Sequence, residues 1–305
     1  MTTTEYTIRG PFEARYLAFL GTVTQLRPAL HRYCARMTGS VMDGEDVVQE
    51  ALFEAYRMLD QFDDSRPLKP WLFRIAHNRC IDFLRRRGVR DEAEATAAVQ
   101  EMTAPQEPAA LGIDRAVEHL VLTLPPKERA CILLKDVFDY SLEEIAELVD
   151  STVGGVKAAL NRGRAKLAGS TPQTKPSRTT PPEMRRVMEL YVERFNRRDW
   201  DGVRELISAD ARLNVADAFA GRLADAPYFS NWGRFSMPWR LAMGEVDGEP
   251  AVVILQRGAD TWTPYSVVRV NVIGEEIQQI TDYVHCSWVV PAASSIMVAD
   301  THRQD

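Results

Sequence analysis

"DYSLEEIAELVDSTVGGVKAALNRGRAKL", residues 139–167, is the stretch whose reading decides the fold. Ser141 with Glu144 makes a capping box that opens a helix, and Leu142, Ile145, Ala146 and Val149 recur at helical spacing as one apolar stripe. Thr152 stands where a second helix needs its cap. In that helix Val156, Leu160 and Leu167 face inward, which leaves Lys157, Asn161, Arg162 and Arg164 on the outer side. Two amphipathic helices joined by so short a turn read as a helix-turn-helix, and the outer cations suit a major groove with its phosphates.

Upstream, "WLFRIAHNRCIDFLRRR" (71–87) reads as another helix, with Leu72, Ile75, Ala76 and Phe83 on one side and Arg74, Asn78, Asp82 and Arg85 on the other. Trp71, Phe73 and His77 offer flat side chains beside arginine, the combination expected where unstacked bases of a single strand are held. A core tryptophan with a solvated basic face is the plainer alternative. Charge is segregated along the chain: residues 43–64 hold eight acids against Arg57, residues 66–90 eight Lys/Arg against Asp82, and residues 151–182 six Lys/Arg against no acid. The overall charge of -6 conceals one surface for phosphates and another for a basic partner.

At 305 residues the chain exceeds one typical core. Two stretches read as linkers. Residues 88–112 are acidic, Ala-rich and interrupted by Pro105 and Pro108, and 169–182 place four prolines among Ser, Thr and Lys. They divide the chain into all-helical units at 10–87 and 113–168 and an α+β unit at 183–291, with a tail at 292–305. In the last unit, helices near 183–197 and 199–207 precede strands: 239–246 and 251–258 flank the turn "DGEP", and 265–273 and 277–290 flank "GEE". The four cysteines lie far apart without metal-ligand spacing and read as small buried residues, so neither a metal nor a cofactor is expected. No apolar run approaches the roughly 20 residues of a membrane span, and "MTTTEYTIRG" (1–10) lacks the marks of a secretory signal, which predicts a cytoplasmic protein away from membranes.

The run from Asp43 to Arg87, followed after a linker by "LPPKERACILLKDVF" (124–138) and the helix-turn-helix, closely resembles the two conserved domains of bacterial sigma factors of the extracytoplasmic-function group. The resemblance covers roughly residues 12–168. It implies a first domain that binds core RNA polymerase and melts the promoter -10 element, a second that reads the -35 element, and no enzymatic activity. It assigns Asp46, Gln49, Glu50 and Phe53 to the polymerase-binding side. Arg66, Lys69, Trp71, Arg74, Asn78, Asp82, Arg85 and Arg86 go to the -10 side, where the loop 61–69 helps select a flipped base. Thr152, Lys157, Asn161, Arg162 and Arg164 go to the -35 side. The recognition helix departs from the family: Asp150 replaces the usual turn glycine, Ser151 a hydrophobe, and Ala158 and Ala159 a polar pair. Alanine can touch a thymine methyl but cannot hydrogen-bond a base edge, which predicts a weak or unusual -35 contact.

From 183 onward the chain resembles the SnoaL-like superfamily, an α+β cone with a curved antiparallel sheet that in several such sigma factors regulates within the chain. Trp232, Trp239, Tyr265, Tyr283 and His285, with Trp288, are candidate walls of a pocket for a small ligand, or core aromatics. Asp282 and His285, three apart on one strand, would point to opposite faces, which argues against an acid/base pair. A stand-alone helix-turn-helix regulator with a ligand-sensing domain explains the second unit but not the acidic helix or the Trp/Arg stretch. An enzyme with an appended DNA-binding module explains less still.

Overall fold

The first helix, α1 (Pro11–Thr38), stops at Gly39, whose φ of 82° provides the left-handed residue that ends many helices. Ser40 then opens α2 (Val41–Met58) by accepting from the Asp43 amide at 3.3 Å. In this computed structural model, residues 11–97, 122–169, 180–259 and 261–299 are described. Val47, Val48, Ala51 and Ala55 of α2 are buried, as are Leu72, Phe73, Ile75, Ala76 and Cys80 of α3 (Leu68–Ala97). The helix read over 71–87 runs ten residues further, to Ala97, because "DEAEATA" (91–97) is made of residues that propagate a helix. Residues 98–112 of the first predicted linker lie outside the described residues, as do 170–179 of the second.

The next helical segment starts at α4 (Pro126–Ile132), with proline at its first position, where a missing amide costs nothing. A wider turn at Leu133–Val137 leads to α5 (Leu142–Leu148) and α6 (Val153–Gly169). The capping box is present: Glu144 N donates to Ser141 Oγ at 3.1 Å and Ser141 N to Glu144 Oε2 at 2.7 Å. Asp150, where a glycine is usual, sits at φ 50°, a conformation that Asp tolerates better than most residues.

The two helical segments do not have separate cores, contrary to the three-unit division. They share one, and they belong to one compact unit. Phe73 lies 5.4 Å from Phe138 and 5.6 Å from Tyr140, and Tyr33 lies 5.9 Å from Phe138. The buried Arg129 donates to the carbonyls of Met37, Leu122 (2.6 Å) and Leu124 (3.0 Å). Segments this short bury too little surface alone, so they pool their aromatics.

The second unit comprises the described part of 180–299 together with the short segment Gly39–Glu45. It opens with α7 (Pro182–Asn196) and α8 (Trp200–Glu205), followed by β1 (Ile207–Val215), β2 (Phe219–Arg222) and α9 (Tyr228–Gly233). Then come β3 (Trp239–Val246), β4 (Glu249–Arg257), β5 (Trp262–Ile273), β6 (Glu276–Asp282), α10 (Val289–Ala292) and β7 (Ile296–Val298). The seven strands form one sheet in the order β2-β1-β6-β5-β4-β3-β7. Asp247 and Gly248, at φ 54° and 76°, make the tight hairpin turn between β3 and β4 that the "DG" pair predicts.

The expected antiparallel sheet is present with one parallel pair, and two expectations are corrected. The sheet is antiparallel except for β1, which pairs parallel with β6, since the chain returns beside β1 only after β3 to β5 are laid down. The strand drawn to residue 290 ends at Asp282. The predicted tail contributes β7, which pairs antiparallel with β3 and approaches it closely at Gly244, where a Cβ would collide with the Met297 carbonyl. The core of this unit gathers around Phe195 of α7, ringed by Tyr191, Trp200, Trp232 and Trp239 with centroids 5.0 to 5.9 Å away.

Candidate nucleic-acid and partner interfaces

On α2, Asp46 and Gln49 are partly buried, whereas Glu50 and Phe53 stand out from the surface. Phe53 is 65% exposed, a large cost for a phenyl ring left in water. Tyr56, one turn on, is also exposed and meets Tyr16 of α1 edge-on at 5.5 Å. Glu50 accepts from Arg86 of α3 at 3.3 Å, and Glu54 from Arg79 at 2.5 Å, which raises the arginine above its ordinary value. This surface is therefore apolar at its centre and acidic at its edge.

The face of α3 divides. Arg74, Asn78, Arg85 and Arg86 are exposed, Asp82 is half-buried and pairs with Arg85 at 3.1 Å, and Trp71 is half-buried with its ring 4.7 Å from Phe62. Phe73 and His77 are not available to bases: both are buried in the shared core, because the stripe they belong to faces the other helical segment. His77 Nδ1 is bonded to the Tyr33 hydroxyl at 2.8 Å, and burial pulls its pKa down to about 4, so the ring is neutral near pH 7. Arg66 pairs with Glu147 of α5 at 3.4 Å, and Lys69 lies 5.2 Å over the Tyr140 ring. Asn78 and Asp82 line a cleft of about 510 Å³ with Lys127 and Val149. The predicted strand-opening residues thus lie beside the helix-turn-helix segment.

The titration of His77 has a consequence for stability. The unfolded ring, near the ordinary 6.5, takes up a proton that the folded ring refuses, so the stabilisation is complete above that value and fades as the pH falls towards 4. Urea melts of the full chain should lose about 2 kcal/mol more between pH 7 and pH 5 than those of His77→Gln. Parallel pH curves for the two proteins would contradict this.

On α6, Thr152 caps the helix by accepting from Gly155 N at 3.0 Å, and Lys157 and Asn161 point to solvent. Ala158 is exposed, but Ala159 is buried and cannot touch a base. Arg162 and Arg164 are exposed yet already paired, with Glu128 at 2.9 Å and Asp136 at 2.6 Å. Lys166 also binds Glu128 at 2.9 Å, and these two cations hold that carboxyl below its ordinary pKa. Pairs spanning 34 and 28 residues leave no local mark in the sequence.

The candidate pocket residues separate. Trp232 and Trp239 line a cleft of about 420 Å³ with Arg198, Phe235 and Trp262, and the Arg198 guanidinium lies 3.5 Å over the Trp239 ring. Tyr265 reaches its edge through Phe235, with ring centroids 6.3 Å apart. Tyr283 is fully buried elsewhere, with its hydroxyl on the Met42 carbonyl, and His285 is exposed in the turn after β6. Asp282 is buried, accepting from Tyr228 Oη at 2.8 Å and Val284 N at 2.9 Å, and burial lifts it to about 6. The four cysteines are buried and none is in a disulfide. Among the described residues no helix is long and apolar enough to cross a membrane.

Family models for Sigma-70 region 2 and Sigma-70 region 4 match residues 22–90 and 114–167. The chain is 33% identical over 162 residues to the ECF RNA polymerase sigma factor SigW of Bacillus subtilis, covering 49% of this chain and 87% of that protein. It is 25% identical over 310 residues to the ECF RNA polymerase sigma factor SigG of Mycobacterium tuberculosis, covering 90% of this chain and 84% of the relative. A crystal structure of the extracytoplasmic function sigma factor SigJ of Mycobacterium tuberculosis is 19% identical, with a TM-score of 0.34 over 86% of this chain and 95% of that one. With both sigma-70 regions present in order, and a sigma factor matched over nearly its whole length, the chain belongs to the ECF sigma factors of RNA polymerase.

Proposed function

We propose that the α2 surface around Glu50 and Phe53 binds core polymerase, that Trp71, Arg74, Asn78, Arg85 and Arg86 hold the opened -10 strand, and that Lys157 and Asn161 touch the -35 element. The second unit then regulates the sigma domains within the same chain. The observation that carries this reading is the 65% exposure of Phe53, with Tyr56 exposed one turn on, on a helix whose Val47, Val48, Ala51 and Ala55 are buried. A ring left in water beside carboxylates fits a basic, partly apolar partner surface. Arg162 and Arg164 stand in surface pairs with Glu128 and Asp136, which neutralise part of the basic face of α6. The chain alone is therefore a weak duplex binder that acts through polymerase.

Regulation within the chain is tested by truncation. Among the described residues, the hydrophobic core of the first unit draws on residues between Tyr16 and Leu167, so a chain ending at Gly169 keeps them all. That chain should bind core polymerase more tightly than the full-length protein and change the yield of promoter-dependent transcript. If it matched the full-length protein in core affinity, promoter opening and yield over a range of salt, the second unit would be an independent passenger.

A further inference from the structure

Three strands end together at one end of the sheet in the second unit: Trp239 opens β3, Arg257 closes β4 and Trp262 opens β5, with Arg257 directly opposite Trp262 in the ladder. The cleft of about 420 Å³ opens here, a volume within the roughly 300–1,000 Å³ of small-molecule sites. Its lining is largely apolar, with Trp232 and Trp239 buried and Phe235, Met237 and Trp262 half-buried. Arg198 stands at its rim, in the turn between α7 and α8. Its φ of 60° is a left-handed backbone that an arginine keeps only where its surroundings hold it. The guanidinium does the holding: stacked 3.5 Å over Trp239, it donates to the carbonyls of Phe195 at 3.2 Å, Asn196 at 3.1 Å and Trp239 at 3.5 Å. It carries further N–H donors that these carbonyls do not use. Two more guanidinium groups gather on Trp262, Arg240 at 4.7 Å and Arg257 at 5.9 Å from the ring centroid.

Elsewhere in this unit arginines are matched. Arg194, Arg204, Arg222 and Arg269 each pair with a carboxylate, whereas among the described residues Arg198, Arg240 and Arg257 have no acidic partner. Arg240 Nε is moreover buried without a hydrogen-bond partner, a donor that folded proteins rarely leave unused. Three unmatched guanidinium groups around an apolar recess call for an anion with an apolar body, and the fork of N–H donors on arginine fits a carboxylate. We propose that this cleft binds a small aromatic carboxylate, with its flat ring against Phe235 and Trp262 and its charge held by the arginines of the rim. The ligand lies outside the core, which Phe195 and its neighbouring rings already fill. A nucleic-acid strand fits less well, because Trp232 and Trp239 are only 5% and 6% exposed and offer no open face for a base. The site is built from the second unit alone and stands whether or not α2 binds polymerase.

The test is calorimetric titration of the full chain with 2-naphthoate as the probe, beside its neutral amide, acetate, inorganic phosphate and a short thymidine oligonucleotide. Naphthoate should saturate one site. The amide should bind at least about tenfold more weakly, because it forms no charge-assisted bonds, and acetate and phosphate, which lack the ring, should not saturate in the same range. Arg257→Gln should weaken naphthoate about fivefold without moving the melting temperature, since the side chain is exposed and has no ion pair to lose. Trp262→Leu should weaken it by a similar factor, and if that variant fails to fold, Arg257→Gln decides alone. Arg222→Gln, which gives up a surface pair with Asp210, is the control and should bind like the parent. Naphthoate that does not saturate, an amide that binds equally well, or undiminished affinity in Arg257→Gln overturns the proposal. Phosphate that displaces naphthoate at equal concentration would also overturn it, in favour of a simple phosphate site. Oligonucleotide binding that Arg257→Gln abolishes, with naphthoate no better than acetate, would overturn it in favour of a nucleic-acid contact.

Discussion

Trp71→Ala is expected to slow promoter opening by about ten- to a hundredfold while core binding changes by less than about twofold, since stacking of one base on an aromatic ring contributes about 1–3 kcal/mol. The ring stands at the start of α3, half-exposed, in contact with Phe62 on one side and followed along the same helix by Arg74 and Asn78. Melting a promoter needs no covalent chemistry, only binding of the separated strand strong enough to offset lost stacking and pairing. Permanganate footprinting reads the opening, and a core-binding assay reads the other step. Trp71 also packs against the shared core, so a Trp71→Phe variant serves as control. It keeps a flat face and should recover most of the opening rate. If Trp71→Ala lowered opening only in proportion to a loss of folded protein, the ring would be a core residue and nothing more.

Phe53→Ala is expected to weaken binding to core polymerase about thirtyfold, near the 2 kcal/mol of a buried aromatic anchor in an interface. The same change should leave folding stability almost untouched, because the ring is 65% exposed in the free protein. Glu50→Lys should weaken core binding in the same direction by placing like charges together. Its bond to Arg86 is a surface pair worth under about 1 kcal/mol, so the loss belongs to the interface and not to the fold. A surface aromatic without a partner would give normal core affinity in Phe53→Ala, and that result would remove α2 from the interface.

The elements that sequence makes visible here are those with local causes. Ser141 with Glu144, the Asp247–Gly248 turn and the stripe of α5 each depend on residues within one helical or hairpin turn, and each stands where the pattern puts it. The strands β1 and β2 were not visible: β1 buries only Ala211 and Leu213 fully, so its alternation is faint, and β2 is four residues long. The sequence of α3 shows one apolar stripe, which leaves Phe73 and His77 on the nucleic-acid face. In fact α3 is buried on two sides, against α1 and against the helix-turn-helix segment, and the second burial comes from Phe138 and Tyr140, far along the chain. The outer side of α6 offers Arg162 and Arg164 to phosphates, and their pairs with Glu128 and Asp136 are invisible in sequence because those acids are distant along the chain. Tyr283 and Trp288 are pocket walls by sequence alone, yet their polar atoms meet Met42 and Glu45.

The measurement that bears most directly on this account is run-off transcription with purified core polymerase on genomic DNA of the source organism, with 5′ ends mapped. A discrete set of transcripts should appear only when core and the full chain are both present, and the chain alone should show weak, salt-sensitive binding to the same DNA. Tight sequence-specific binding by the isolated chain, with no transcript that depends on it, would contradict the account and mark the protein as a helix-turn-helix repressor.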